Sequence, residues 1–225
     1  MDISGIDCLG LDRVLKRGSG EILAVLDNAL LVRDSVSGAL LLACSDRATG
    51  FSLLDRYADD CGLLMVSDYA LGKEAFERYG FSEKIECYQY AYYGGKPSVS
   101  PELDIRTADE DDLAMLTENY HMISPDELAQ VVRRGSVFIG YDRGQPVGFI
   151  GEHLEGSMGL LYIFPEYRRK GFGTVLETYL IAKTMEDGYI PFGQVEKDNL
   201  RSLSLQKKIG MTTSDNLIVW MWRQH

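Results

Sequence analysis

Residues 160–174 read Leu-Leu-Tyr-Ile-Phe-Pro-Glu-Tyr-Arg-Arg-Lys-Gly-Phe-Gly-Thr: an apolar run, a basic turn with two glycines, and a helix start. Those residue types suit an anion. Gly171 and Gly173 carry no Cβ, so backbone can approach a ligand closely, and the N–H groups that open a helix are free to point at a pyrophosphate. The helix dipole adds roughly 0.3–1 kcal/mol, and Arg168, Arg169 and Lys170 place formal charge beside it. A glycine turn between a strand and a helix is also ordinary turn chemistry, so the spacing by itself leaves both readings open. A dinucleotide fingerprint needs a third glycine and an acidic residue about 20 positions on, after a first strand; here the turn follows a meander of strands. A triphosphate-binding loop needs Gly-Lys-Thr or Gly-Lys-Ser, and neither occurs at this turn.

The elements around the turn follow from local signals. Residues 103–106 read as a strand, and Thr107 with Asp109, Glu110, Asp111 and Asp112 as the capped, acidic start of a helix to about Asn119. Ser124 before Pro125 opens a second helix to about Arg134. Residues 136–141 and 146–153 flank the turn-type tetrapeptide Asp142-Arg143-Gly144-Gln145 and predict an antiparallel hairpin, continued by a strand over 158–164 that Pro165 ends. Val175, Leu176, Tyr179, Leu180 and Ala182 give helical spacing over 174–187, stopped by Gly188. A strand over 192–196, a helix over 200–209 ended by Gly210, and a strand over 217–222 complete an order βααβββαβαβ, an α/β (α+β) pattern.

This C-terminal part resembles the GNAT superfamily of N-acetyltransferases. Arg168-Arg169-Lys170-Gly171-Phe172-Gly173 is similar to that family's pyrophosphate loop, and Asn199-Leu200-Arg201-Ser202 with Leu205, Lys208, Ile209, Gly210 and Met211 is similar to its second motif at the same spacing. The resemblance covers the chain from about Leu103 onward and implies the GNAT fold: a mixed, mostly antiparallel central sheet, splayed at the cofactor, with flanking helices. It implies acetyl-CoA (coenzyme A) as co-substrate, with main-chain groups of Ile163 and Phe164 pairing with the pantetheine arm like an added strand. The amides from Arg169 to Thr174 would hold the pyrophosphate, while Asn199 and Ser202 flank the thioester end. Asn199 reads equally as a helix N-cap.

The reaction so implied is direct attack of a neutral primary amine on the thioester, helped by holding both reactants in line, worth up to about 7–11 kcal/mol. Proton handling contributes roughly 10²–10⁴-fold per group. Here the sequence departs from its family, because Gln206 stands where the second motif has the tyrosine that serves as acid. Candidates for the base are Glu196, Glu152 and His153, each with the alternative of a solvated surface group, and Tyr162 is the candidate surrogate acid.

The first half echoes the second. Arg47-Ala48-Thr49-Gly50-Phe51-Ser52 has the outline of the basic loop, Phe76 to Phe81 parallels Gln206 to Met211, and Cys87-Tyr88-Gln89-Tyr90 parallels the terminal strand. We read a tandem GNAT arrangement, glycine N-acyltransferase-like: residues 1–95 a degenerate copy that walls the cleft, 96–102 a linker at the end of the Gly/Pro/Ser-rich segment 92–101, and 103–225 the catalytic domain. The chain's 225 residues leave room for two modest cores.

A net charge of −11 argues against nucleic acid and anionic membrane as partners. No apolar run reaches the roughly 18 residues of a membrane span, and the start of the chain lacks the pattern of a signal peptide, so the cytoplasm is expected. Cys8, Cys44, Cys61 and Cys87 are scattered, and His121, His153 and His225 share no ligand spacing, so no metal is expected. The expected partner is a small-molecule amine, taken by a monomer or homodimer. The alternative class is a non-catalytic acyl-CoA-binding or regulatory protein, which Gln206 makes conceivable.

Overall fold

The computed structural model describes residues 3–223; His225 lies outside them. In chain order the elements are α1 (Leu9–Lys16), β1 (Gly20–Leu26), β2 (Ala29–Asp34), β3 (Leu40–Cys44), α2 (Arg47–Tyr57), β4 (Leu63–Val66), α3 (Tyr69–Arg78) and β5 (Glu83–Ala91). They continue with β6 (Asp104–Thr107), α4 (Leu113–Asn119), α5 (Pro125–Arg133), β7 (Val137–Asp142), β8 (Gln145–Glu152), β9 (Met158–Ile163), α6 (Phe172–Glu186), β10 (Phe192–Glu196), α7 (Leu200–Ile209) and β11 (Thr212–Trp222). From Asp104 onward the helices and strands follow the order βααβββαβαβ read from the sequence.

The chain forms two compact units, Met1–Ala91 with Gln194–His225, and Tyr92–Gly193. The first junction lies just ahead of the Gly/Pro/Ser-rich segment, whereas the second runs through β10, so that α7 and β11 pack with the first 91 residues.

In the first unit β2, β3 and β4 are neighbours, and β11 pairs antiparallel with β4 on one side and β5 on the other. The closing strand of the second sequence half is therefore inserted between the last two strands of the first half. β3 is buried at all five positions. Leu40 and Leu42 join a core with Leu54 of α2 and Leu71 of α3, while Leu41 and Ala43 join a second core with Leu11 and Val14 of α1. That alternation is the two-fold period of a strand covered on both faces. Gly80 and Gly210 both take left-handed φ, 65° and 85°, just after α3 and α7, and each turns its helix into the strand that follows.

The loop echo in the first half takes a different form from the one its letters suggest. Arg47 to Ser52 lie inside α2, and Asp46 caps that helix by accepting from the Thr49 N–H at 2.8 Å. Gly50 falls in the helix, where an added Cβ would meet Leu71 Cδ2 at 2.5 Å. The glycine serves packing here rather than a turn.

In the second unit β6, β7, β8 and β9 form an antiparallel meander. β9 then meets β10 in parallel through one pair, Met158 with Gly193. The helices start where their caps dictate: Ser124 accepts from the Glu127 N–H at 3.1 Å with Pro125 following, and Asp109 and Asp112 form a capping box ahead of α4. α6 lies against β8 and β9.

Candidate active site

The basic turn leaves β9 through a single 3₁₀ turn, Pro165–Tyr167, in which the Tyr167 N–H donates to the Phe164 carbonyl at 2.9 Å. Gly171 is the N-cap of α6 with φ 92° and no capping side chain, and an added Cβ there would meet nothing within 4 Å. The N–H groups of Thr174 and Val175 close on the Gly171 carbonyl at 2.9 and 3.2 Å. Those of Phe172 and Gly173, the first two residues of the helix, have no carbonyl a turn earlier to receive them. The result is an open cradle at the positive end of a 15-residue helix.

Of the three cations, Arg169 and Lys170 are exposed. Arg168 is folded back: its Nε donates to the Ile163 carbonyl at 2.9 Å, and its guanidinium lies 5.5 Å from the Tyr162 ring centroid. It ties the turn to the strand rather than facing the cradle. The two main-chain positions expected to pair with an added strand also part company. Phe164 donates its N–H to the Val147 carbonyl at 3.0 Å and receives Tyr167 on its own carbonyl. Antiparallel ladders alternate, so Ile163, paired with Gly148, turns its N–H toward the opposite edge of β9. The Ile163 N–H is left facing that edge, whereas the Phe164 groups are already engaged.

β9 carries a bulge. Phe149 pairs with Tyr162 and Gly151 with Gly159, so three steps on β9 match two on β8. Leu160 within it has φ 54°, unusual for a branched residue, and is only 1% exposed. Two groups flank the bulge. The Tyr120 side chain, just past α4, lies beside the backbone of Leu160. The His153 ring lies over Gly159, where any Cβ would collide with Nε2. Tyr120 meets Phe149 edge-on at 6.0 Å, and Phe149 stacks on Tyr162 at 5.6 Å. This aromatic face is turned away from α6, whose Tyr179 packs on Phe138 of the alternate register.

The proposed proton-handling residues are divided by that sheet. Tyr162 shares the face of Tyr120. Glu152 lies in register with Ile150, the partner of Phe138, and its carboxylate accepts from the Thr184 hydroxyl of α6 at 3.2 Å. It belongs to the opposite face. His153 Nδ1 stands 3.8 Å from the Glu127 carboxylate of α5. Glu155, 7% exposed, accepts from the Ser157 hydroxyl in the same turn. Burial alone would lower the His153 pKa, but the Glu127 and Glu155 carboxylates outweigh it and the net displacement is upward. Burial likewise pushes Tyr120 up, to about 12, with the Glu127 charge adding and the Leu160 N–H opposing.

Glu196, Asn199, Ser202 and Gln206 sit in the first unit. The Asn199 side chain accepts from the Ser202 N–H at 3.1 Å, an N-cap for α7. Glu196 is exposed at the end of β10, and Gln206 is 7% exposed. Tyr120, Glu127 and Glu155 are the residues the sequence reading passed over. Tyr120 follows a helix with no motif to mark it, and the bulge that gives it meaning carries no glycine at its left-handed position.

Residues 104–211, from β6 through α7, match the family model described as the acetyltransferase (GNAT) family. The chain carries a GNAT acetyltransferase domain. Members of that family carry out acyl transfer from acetyl-CoA. Solved structures agree on the fold. A Drosophila protein superposes with a TM-score of 0.66 at 18% identity, covering 87% of this chain and 73% of its own. A GCN5-related N-acetyltransferase from Kribbella flavida gives 0.60 at 13% identity over 98% and 95%. A tandem GNAT protein from the clavulanic acid biosynthesis pathway gives 0.50 at 11% identity over 90% and 78%. Among curated proteins none matches the sequence significantly. Among the described residues no group of His, Cys, Asp and Glu could hold a metal ion, and no helix is long and apolar enough to cross a membrane.

Proposed function

We propose that the chain is a cytoplasmic N-acyltransferase that moves an acetyl or other short acyl group from coenzyme A to a primary amine on a small molecule. The observation that carries this reading is the open cradle at Gly171, Phe172 and Gly173, set at the end of a bulged strand. An anion the size of a pyrophosphate needs that lack of Cβ atoms and those two unengaged amides. Arg169 and Lys170 supply charge, Arg168 holds the turn against β9, and the Ile163 N–H would donate to an amide carbonyl of the pantetheine arm. Asn199 and Ser202 remain proposed contacts at the thioester end.

His153 is the base we favour. Its Nε2 lies against β9 beside the bulge, and Glu127 orients the ring from the Nδ1 side. In the transfer the amine nitrogen forms the new C–N bond as the C–S bond breaks, the amine proton passes to His153, and the electron pair leaves on sulfur. A thiolate is stable enough to depart without an acid at position 206. Glu152 is a weaker choice because its carboxylate is engaged with Thr184 on the far face; Glu196 is exposed and Tyr162 is stacked on Phe149. The first half supports the fold as a degenerate copy, since the Asp46 carboxylate occupies the start of α2 where an anion would otherwise bind.

Buried Gln206 favours a second reading, an acyl-CoA-binding regulator without turnover. A panel of diamines, aminoglycosides, amino acids and peptide amines, assayed for free thiol released from acetyl-CoA, separates the two. Amine-dependent thiol release supports the enzyme; binding of acetyl-CoA with no release from any amine supports the regulator.

A further inference from the structure

β1 pairs with β2 alone, so one of its long edges is open. The hairpin that joins the two strands sets what that edge presents. Asp27 and Asn28 form a two-residue loop, which makes Leu26 and Ala29 a hydrogen-bonded pair. Antiparallel ladders alternate, so Val25, the next residue along, turns its N–H and C=O outward. Leu23 is bulged out of register, and Ile22 stands opposite Val32 in its place, in the next outward setting. The bulge also decides the faces. Residues three apart on a regular strand point to opposite sides, but Ile22 and Val25 oppose Val32 and Leu30, which share one core, so both project from the same face. Leu26 opposes Ala29 of the other core. Ile22, Val25 and Leu26 are 52%, 62% and 42% exposed.

Open sheet edges are ordinarily blunted with charge. β6 of the second unit, paired with β7 alone, follows that rule: it carries Asp104 and Arg106, and Arg106 is clamped to Asp112 by two bonds of 2.7 Å. On β1 the stretch from Ile22 to Leu26 is uncharged, and the charges come at its two ends, Glu21 and Asp27, both acidic and exposed. Arg33 lies 3.8 Å from Glu21 but leaves that side chain 63% exposed. We propose that β1 is a docking edge for an extended segment of a partner protein, apolar at alternate positions and basic at both ends, which adds to the sheet as an antiparallel strand. The outward groups of Ile22 and Val25 supply main-chain bonds, and their side chains with Leu26 supply apolar contacts on the two faces. A second copy of this chain fits the edge less well. Laying Ile22–Leu26 on itself about Ala24 sets Glu21 of each copy opposite Asp27 of the other, and like charges directly opposite destabilise a pair of strands. Lysine or arginine at the same two positions is rewarded instead. This edge belongs to the first unit and stands apart from the acyltransferase reading.

The test is fluorescence anisotropy of a labelled, end-capped peptide, Lys-Val-Thr-Val-Thr-Val-Lys, titrated with the full chain. Wild type should bind it saturably and about tenfold more tightly than the same peptide with glutamate at both ends, a preference that shrinks at high salt. Val25→Pro removes an outward N–H and leaves the ladder to β2 intact, and proline is tolerated at such edge positions. It should weaken binding of the lysine-ended peptide about tenfold in a chain that still melts cooperatively. Should Val25→Pro fail to fold, Val25→Lys, a change at a mostly exposed side chain, should weaken binding of the same peptide through repulsion and lost apolar contact. No binding of the lysine-ended peptide by the wild type, equal affinity for the two peptides, or undiminished binding by the substituted chain would overturn the proposal. A wild-type dimer in sedimentation that Val25→Pro dissociates would give the edge to a second copy and overturn it as well.

Discussion

If His153 is the base proposed above, the site has a pH signature whose sign follows from its neighbours. Its pKa is raised above the usual 6.5 because the Glu127 and Glu155 carboxylates outweigh burial. A base must be neutral to act, so transfer should rise with pH through that raised value, and Glu127→Gln should move the limb toward lower pH. His153→Gln should flatten it and lower kcat by roughly 10²–10⁴-fold. The same pair bears on stability. A group whose folded pKa is raised stabilises the fold fully below its unfolded value and loses that contribution as pH rises through the folded one. Wild type should therefore exceed Glu127→Gln in melting temperature by more at pH 6 than at pH 9. A difference that grows with pH would show that the two side chains do not interact as described.

The turn between β9 and α6 carries two different kinds of cation. Arg168 acts through a directed hydrogen bond to the Ile163 carbonyl, whereas Arg169 is exposed and acts as charge. Salt screens the second far more than the first. Arg168→Ala should weaken coenzyme A binding to a similar degree at 50 mM and 500 mM salt, while the loss from Arg169→Ala should shrink at high salt; equal salt dependence in a titration series would contradict the division. The contrast also marks what sequence can carry. Glycine turns, Ser124 with Pro125, and the acidic start at Asp109 are written in adjacent letters, so the helix starts and the cradle were legible. The face occupied by Glu152 depends on strand register and on where α6 docks. The bulge at Leu160 depends on pairing across β8, and the helical state of Arg47–Ser52 on Asp46 and on packing against Leu71. None of these lies within one local string.

At the scale of the chain, the order of the sequence and the order of packing diverge. The sequence halves part near residues 96–102, yet β11 lies between β4 and β5, the last two strands of the first half. A fragment of residues 103–225 would leave β11 without either neighbour, and a fragment ending at Gly210 would remove an interior strand from the first unit. Both should be insoluble or unfolded by circular dichroism while the full chain folds; a soluble, cooperatively melting 103–225 fragment would show the halves to be independent. What the whole account rests on is that residues 169–174 hold acyl-CoA. Calorimetric titration with coenzyme A and acetyl-CoA, on the wild type and on Gly173→Trp, tests this most directly. Saturable binding by the wild type should be lost in a Gly173→Trp variant that still melts cooperatively; undiminished binding by that variant, or none by the wild type, would show that this turn does not hold acyl-CoA.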